Sequence, residues 1–227
     1  LKDCVWKLNL GTGCPCGLGK SLLFVRASEG MRIAVLGNSG SGKSSLALWV
    51  SRQTGAALLD LDTVAWESNQ VAVPRSAEFA KADVDSFCNA NEHWVVEGCY
   101  ASLIAVALEH RPLLIFLEPG KAQCLANCRS RPWEPHKHPS KDEQDRLLGH
   151  LLTWVEDYYT REGDMSLQGH RQCFDAYTGP KVEIKDQLSL DPPSAEVLAW
   201  LRFRPPGSNA RPRGSTPDAR TDARPPD

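Results

Sequence analysis

GNSGSGKSS, at residues 37–45, has the spacing Gly-x-x-x-x-Gly-Lys-Ser of a phosphate-binding loop. The first glycine of such a loop lets the chain turn tightly after a strand, and the backbone N–H groups that follow face a polyphosphate. The flanks fit, because 32–36 (RIAVL) predicts a buried strand and 44–54 predicts a helix that stops at Gly55. The predicted nucleotide-binding residues are Gly37, Asn38, Ser39, Gly40, Ser41, Gly42, Lys43, Ser44 and Ser45.

A second Gly-Lys-Ser occurs upstream, in GTGCPCGLGKS at residues 11–21. Cys14 stands where the loop that ends at Lys20 needs its first glycine, and Pro15 has no backbone N–H to donate to phosphate. The upstream copy is therefore predicted not to bind a nucleotide.

Length, charge and apolar patterning narrow the class of protein. The 227 residues predict one domain with tails, and the formal net charge of −2 gives no reason to expect nucleic acid or a membrane as partner. The longest apolar run, 101–108, falls far short of the ~20 residues that a membrane helix needs. The eight cysteines form no Cys-x-x-Cys pair, which together with a phosphate-binding loop predicts a cytoplasmic location with reduced thiols.

Composition also predicts where the domain begins and ends. Residues 1–30 are expected to be an N-terminal extension outside the fold, because the first convincing strand directly follows Met31. The folded domain is predicted to span 31–203. Residues 204–227 are mostly Arg, Pro, Gly, Ser, Thr, Asp and Ala, which bury too little apolar surface to offset the entropy of ordering, so this tail is predicted to be disordered.

Within the domain, predicted strands alternate with predicted helices. The further strands are predicted at 56–61, 93–97, 112–117 and 181–184. The further helices are predicted at 76–89, 121–129, 145–161 and 167–176, with a last one that begins at Ser194. Strands separated by helices imply βαβ crossovers and hence an α/β fold, a parallel sheet covered by helices on both faces.

Acidic residues stand at the ends of these strands, where parallel sheets bind ligands: Asp60, Asp62 and Glu97. A kinase needs oxygen ligands for Mg²⁺ and a group that accepts the proton of the attacking hydroxyl. We expect Asp62 near the acceptor, with Ser44, Asp60 and Glu97 around the metal. Alternate strand residues point to opposite faces unless the strand has already turned, and we expect at most one of the two aspartates to face the phosphate directly. The alternative is an acidic strand end that is merely solvated.

A basic segment interrupted by proline follows the fourth predicted strand. It carries Arg129 and Arg131, with Lys137 and Lys141 behind them. Arginines of a closing lid stabilise charge that develops during phosphoryl transfer, so both are predicted to be catalytic. A solvated surface loop is the alternative.

A metal site is a further alternative for the same region, from Cys124, Cys128, His136 and His138. The two cysteines share one helix face because they are four residues apart. Unpaired residues in a loop are the commoner case.

Four stretches resemble small P-loop kinases of the adenylate kinase and shikimate kinase type, including adenylate kinase-like proteins labelled for DNA topology modulation. They are GNSGSGKSS, LDLDTVAWE, HWVVEGCYASL and LEPGKAQCLANCRSRPW, and the resemblance covers roughly 31–185. It implies a three-layer α/β/α sandwich with a five-stranded sheet of order 2-3-1-4-5 and a helical lid. It also implies ATP on the loop, Mg²⁺ on Ser44, a carboxylate of Asp60 or Asp62 near the acceptor, and lid arginines at Arg129 and Arg131.

The chain departs from this family at two positions. Trp66 stands where shikimate kinases have an acid, and Gly98 is all that remains of their triple glycine, so shikimate is not expected as the acceptor. Arg75 is a candidate for an anionic acceptor, and a solvated side chain is its alternative.

Three functions remain at this stage. The first is an ATP-dependent phosphotransferase for a small molecule, which should enclose a concave site between the 60–80 segment and 97–100. The second is a non-kinase NTPase or nucleotide switch that acts on a macromolecular partner and presents that surface openly. Nucleic-acid binding is disfavoured by the charge balance. The sequence leaves the acceptor, and ATP against GTP, open.

Overall fold

A computed structural model describes residues 30–67, 73–133, 139–191, 193, 194 and 197. Five parallel strands form one sheet in the order β2-β3-β1-β4-β5. The strands are β1 (Arg32–Gly37), β2 (Ala57–Asp60), β3 (Trp94–Gly98), β4 (Leu113–Leu117) and β5 (Lys181–Ile184). The predicted α/β fold and strand order are confirmed, and this is the three-layer arrangement of P-loop NTPases.

Seven helices connect the strands in the described part of the chain. They are α1 (Lys43–Thr54), α2 (Asp62–Ala65), α3 (Ala77–Ala90), α4 (Ala101–Leu108), α5 (Lys121–Arg129), α6 (Lys141–Asp157) and α7 (Leu167–Ala176). Alternate strand residues enter two separate cores, because successive strand side chains point to opposite faces. On one face Ala34 and Phe116 pack with α3, α4 and α7, and on the other Val35 and Ile115 pack with α1. The long apolar runs in β1, β3 and β4 follow from this burial on both sides.

Two helices were missed by sequence patterning, and α4 shows why. It contains eight residues, and the side chain of its N-cap residue, Tyr100, makes no capping hydrogen bond. Its first turn is instead capped from far along the chain, because the Asp164 carboxylate accepts hydrogen bonds from both the backbone N–H (2.6 Å) and the hydroxyl (2.9 Å) of Ser102. A cap supplied by tertiary contact leaves no local signal.

Helix α6 begins four residues earlier than predicted, at Lys141 rather than Asp145. The Ser140 hydroxyl accepts a hydrogen bond from the backbone N–H of Glu143 (3.2 Å), which is the serine half of a capping box. The helix also stops at Asp157 instead of continuing to Arg161, and Tyr158 is fully buried just beyond it. Ser76 precedes α3 as predicted, but its side chain makes no capping hydrogen bond.

The predictions for 1–29 and 204–227 lie outside the described residues, as does most of the helix predicted from Ser194 onward. Val197, which belongs to that helix, is described and buried in the core on the α1 face. Among the described helices, none has the length and apolar character needed to cross a membrane.

Candidate active site

The phosphate-binding loop joins β1 to α1, as its spacing predicts. Gly42 is the N-cap of α1 and has a φ of 94°, a conformation that favours glycine. It provides no side-chain cap, so the first backbone N–H groups of α1 are not satisfied by a capping side chain and suit an anion. Lys43 is 8% exposed, and its Nζ donates to the carbonyl oxygen of Asn38 within the same loop at 3.2 Å.

Two asparagines attach this loop to the helices beside it. The Asn38 side-chain amide donates to the carbonyl of Val155 in α6 (3.0 Å), and that of Asn127 in α5 donates to the carbonyl of Gly40 (2.8 Å). Gly40 leaves no room for a side chain, because an added Cβ would lie 2.3 Å from the carbonyl oxygen of Cys124. The shape of the loop therefore depends on α5 and α6 as well as on its own glycines.

Asp60 and Glu97 end neighbouring strands and stand next to each other in the register. Glu97 is 3% exposed, and the nearby side chain of Ser44 acts to lower its pKa. Burial raises the pKa of Glu97, the charge of Lys43 opposes that rise, and the charge of Asp60 adds to it. A buried carboxyl, a second carboxylate and a serine hydroxyl thus meet at the start of α1.

The two aspartates after β2 do not point to opposite faces of a strand. The strand ends at Asp60, α2 begins at Asp62, and the Asp62 backbone N–H donates to Asp60 Oδ1 at 2.9 Å. Both side chains line the same cavity. This arrangement corrects the expectation that only one of the two would face the site, because the chain turns between them.

A cavity of about 850 Å³ contains most of the predicted site. The predicted residues that line it are Ser39, Gly40, Ser41, Gly42, Lys43, Ser44, Ser45, Asp60, Asp62, Glu97 and Arg131. Gly37 and Asn38 support the loop from behind rather than lining the cavity. Arg129 is exposed at the end of α5 and is not among the lining residues.

Other predicted candidates lie away from the cavity. Arg75 donates to Asp83 (2.5 Å) and to the carbonyl of Val64 (3.3 Å), so its guanidinium is committed to the α2–α3 region. Cys124 and Cys128 are buried against α6, and burial raises the pKa of Cys124 to about 11, which favours the thiol over the metal-binding thiolate. The other half of that metal site, His136 and His138, lies outside the described residues.

Sequence patterning missed a buried polar group beneath the cavity. His170 is fully buried, with one ring nitrogen 2.8 Å from the carbonyl oxygen of Cys99 and the other 2.8 Å from the hydroxyl of Tyr158. Burial lowers the pKa of His170 to about 4, so the ring is neutral. The ring therefore donates to the carbonyl of Cys99, which lines the cavity, and accepts from Tyr158. A single histidine on a helix gives no sequence signal for this role.

No protein-family model and no curated protein matches the chain. Among solved structures, it is similar to a gluconokinase from Sinorhizobium meliloti 1021, with a TM-score of 0.45 and 19% identity over 76% of this chain and 91% of that chain. It is also similar to the shikimate kinase from Aquifex aeolicus vf5, with a TM-score of 0.40 and 14% identity over 76% of this chain and 96% of that one. A deoxyadenosine kinase from M. mycoides with bound dATP has a TM-score of 0.41 and 12% identity over 76% of this chain and 100% of that one. Likeness at this level gives no ground for assigning a substrate.

Proposed function

We propose that this chain is an ATP- and Mg²⁺-dependent kinase that transfers the γ-phosphoryl group to a hydroxyl of a small molecule. The observation that carries the proposal is the shared cavity, in which the phosphate-binding loop and the carboxylates of Asp60, Asp62 and Glu97 face the same space. Transfer requires donor and acceptor to be held together away from bulk water. A switch that acts on a macromolecule needs no such space beyond its nucleotide.

The phosphate end of this cavity has the groups that a triphosphate needs. The loop N–H groups and the start of α1 favour an anion, and the Lys43 ammonium adds a full positive charge. In the described structure that ammonium is held on the carbonyl of Asn38, and in the proposed complex it exchanges this neutral acceptor for phosphate oxygens.

Ser44, Asp60 and Glu97 are the proposed metal-binding residues, and their chemistry fits Mg²⁺, which prefers oxygen ligands. Among the described residues, no group of three or more His, Cys, Asp or Glu side chains is arranged to hold a metal alone. Mg²⁺ at a phosphate site needs only one or two carboxylates, because phosphate and water complete its shell. When bound, it would neutralise charge on the β- and γ-phosphate oxygens.

Asp62 is the proposed base at the acceptor end, and Arg131 is the proposed cation for the transferred group. Asp62 lines the cavity at the start of α2, while Arg131 enters it from the segment after α5. A carboxylate there can accept or orient the proton of the attacking hydroxyl, and a guanidinium offsets charge on the phosphoryl oxygens. For Arg129, exposed and outside the lining, we propose no catalytic role.

The remaining end of the cavity is the proposed place for the nucleotide base. Gln187, Leu188 and Leu190 follow β5 and line the cavity together with Pro132. Apolar side chains beside an amide suit a flat heterocycle with polar edges. We propose a purine there, with ATP as the physiological nucleotide and GTP as the competitor to test.

The test is a phosphoryl-transfer screen with labelled ATP and GTP against sugars, nucleosides, nucleotides and aminoglycoside-like compounds. Asp62→Asn keeps the size of the side chain and removes its charge, so it should lower transfer by ~10²–10⁴-fold with ATP affinity nearly unchanged. Arg131→Ala should also slow transfer. Asp175→Asn is the control, because Asp175 is exposed on α7 away from the cavity.

Two results would contradict the proposal. A wild-type protein that binds MgATP but transfers phosphate to no acceptor class, and whose slow turnover is indifferent to Asp62→Asn, behaves as a nucleotide switch. Transfer at normal rates in both Asp62→Asn and Arg131→Ala would remove the catalytic assignment and leave the nucleotide site in place.

A further inference from the structure

A chain of hydrogen bonds leads from the core to the Asp62 carboxylate. The indole Nε1–H of Trp66 donates to the hydroxyl of Tyr100 at 2.7 Å, and that hydroxyl lies 2.7 Å from Asp62 Oδ1. Tyr100 is 7% exposed, whereas Asp62 is exposed to the cavity. The chain therefore connects a buried phenol to a carboxylate at the acceptor end.

Each bond in this chain can run in one direction only. An indole nitrogen donates and cannot accept, so the Tyr100 oxygen accepts from Trp66 and its hydrogen is directed to Asp62. An ionised carboxylate only accepts, and a hydrogen bond to a charged acceptor is about twice as strong as a neutral one. The arrangement therefore holds the Asp62 carboxylate at one of its oxygens.

Both donors are themselves fixed by the fold. Trp66 forms an antiparallel bridge with Pro74, flanked by hydrogen bonds from Glu67 N to Val73 O (2.8 Å) and from Arg75 N to Ala65 O (2.9 Å). Tyr100 follows β3 and is the N-cap of α4, which places it in the core that α3 and α4 share. A donor that is already rigid loses little entropy of its own, so its hydrogen bond can offset the entropy that an exposed aspartate loses when it adopts one rotamer.

We propose that Tyr100 and Trp66 are positioning residues that hold the Asp62 carboxylate in the orientation that a general base requires. This inference rests on the proposed kinase function and deepens it, because it explains how an exposed aspartate in the four-residue helix α2 keeps one geometry. Neither aromatic side chain lines the cavity, so both act through Asp62 rather than on the acceptor.

The experiment measures MgATP hydrolysis, with water in place of the acceptor, and transfer to any acceptor that the screen identifies. Tyr100→Phe removes one hydroxyl and should lower kcat roughly tenfold, the effect of losing one hydrogen bond to a charged group. The KM for ATP should not change, because neither aromatic side chain lines the cavity. Trp66→Phe should lower kcat roughly threefold, again without a change in the KM for ATP, because Trp66 is one hydrogen bond further from Asp62.

The decisive comparison is a double-mutant cycle. If Tyr100 acts only through Asp62, Tyr100→Phe should have no further effect on kcat in an Asp62→Asn background. Tyr177→Phe is the matched control: it removes a half-buried hydroxyl that donates to the carbonyl of Pro112 (2.5 Å), so it should cost stability and leave kcat unchanged. Equal losses of kcat from Tyr100→Phe in both backgrounds, or the same loss of kcat in Tyr177→Phe, would overturn the proposal.

A second measurement keeps this inference separate from the proposed function. The indole N–H signal of Trp66, assigned by its loss in Trp66→Phe, should move in the nitrogen–proton NMR spectrum when Tyr100→Phe removes its acceptor. It should move by less in Asp62→Asn and stay in place in Tyr177→Phe. A wild-type protein without MgATP turnover would contradict the kinase, and a Trp66 signal unmoved by Tyr100→Phe would contradict the hydrogen-bond chain.

Discussion

The phosphate end of the cavity comes from one continuous segment, 37–45, whereas the acceptor end is assembled from α2, the end of β3 and the polar contacts behind them. At the phosphate end, the groups proposed to bind phosphate are backbone N–H groups and one lysine, and neighbours in sequence supply them. At the acceptor end, Asp62 depends on Tyr100, and the turn after β3 is held by His170. A substitution at the phosphate end should therefore affect nucleotide binding directly. A substitution behind the acceptor end should affect the site through the residue that it supports.

The largest expected effect is loss of nucleotide binding in Lys43→Ala. The ammonium is the one full positive charge in the loop, so its removal should abolish the rise in melting temperature that MgATP produces in the wild-type protein. Lys20→Ala, in the upstream Gly-Lys-Ser, is the matched control and should keep that rise. If both variants lost this rise equally, phosphate binding would not be confined to 37–45, and the contrast between the two ends of the cavity would fail.

The next prediction tests whether the conformation of the 37–45 loop depends only on its own residues. Gly40→Ala should lower the free energy of unfolding by about 3 kcal/mol, because its φ is 77° and the new Cβ would lie 2.3 Å from the Cys124 carbonyl oxygen. Gly42→Ala is the control for backbone strain alone, with a φ of 94° and nothing within 4 Å of its Cβ, and should cost about 1 kcal/mol.

Urea unfolding of the nucleotide-free protein gives both values. A larger loss of stability in Gly40→Ala than in Gly42→Ala would show that α5 helps to shape the loop. The binding groups of the phosphate end would then be local in sequence, but its shape would not. Equal losses of stability in the two variants would mean that α5 shifts to accommodate the new Cβ and that the loop keeps its shape without it.

A third effect appears as pH dependence at the acceptor end. The pKa of His170 is about 4 in the folded chain against 6.5 for an unperturbed histidine, so the unfolded state binds the proton more tightly. Stability from this residue is complete above pH ~6.5 and is lost progressively as the pH falls toward 4, by on the order of 3 kcal/mol.

His170→Gln retains a donor and an acceptor without titrating, and should flatten this part of the stability curve. Urea midpoints at pH 4.5 and pH 7 for both proteins measure the difference. An unchanged slope in the variant would mean that the polar group beneath Cys99 does not contribute to the acidic loss of stability.

The smallest effect concerns Glu97, which lies between the two ends. Burial raises its pKa, so the ionised form destabilises the fold increasingly as pH rises. Glu97→Gln should therefore stabilise the nucleotide-free protein at pH 8 by about 1 kcal/mol, with a smaller gain at pH 5.

The same variant should reduce the part of nucleotide stabilisation that depends on Mg²⁺. Melting temperatures with ATP plus EDTA and with MgATP separate the two contributions. A destabilised Glu97→Gln with normal Mg²⁺ dependence would contradict both the electrostatic origin of the effect and the metal assignment.

The features that were predicted from the sequence are those that neighbours in sequence determine. The loop at 37–45 and the bounds of α5, α7 and β5 follow from spacing and local propensity, and each matches the structure. The sheet order came from the resemblance of several such stretches to P-loop kinases, and the observed order confirms it. A feature that depends on a few consecutive residues leaves a recognisable pattern in the sequence.

The features that were missed arise from distant residues. The cap of α4 comes from Asp164, the donor to Asp62 comes from Tyr100, and the contact that fixes Cys99 comes from His170. Arg75 and Arg131 look equivalent as loop arginines, yet one pairs with Asp83 and the other enters the cavity. Which partner an arginine finds depends on the folded geometry, so sequence alone cannot separate these cases.

The side-chain amide of Asn127 has a mechanical consequence for Arg131. It holds the C-terminal end of α5 against the 37–45 loop through the carbonyl of Gly40. Arg131 is two residues past the last residue of α5, and a chain spans at most ~3.5 Å per residue, so its Cα stays within a radius of about 7 Å of that of Arg129. Because α5 ends beside the loop, Arg131 is kept close to the cavity that it lines.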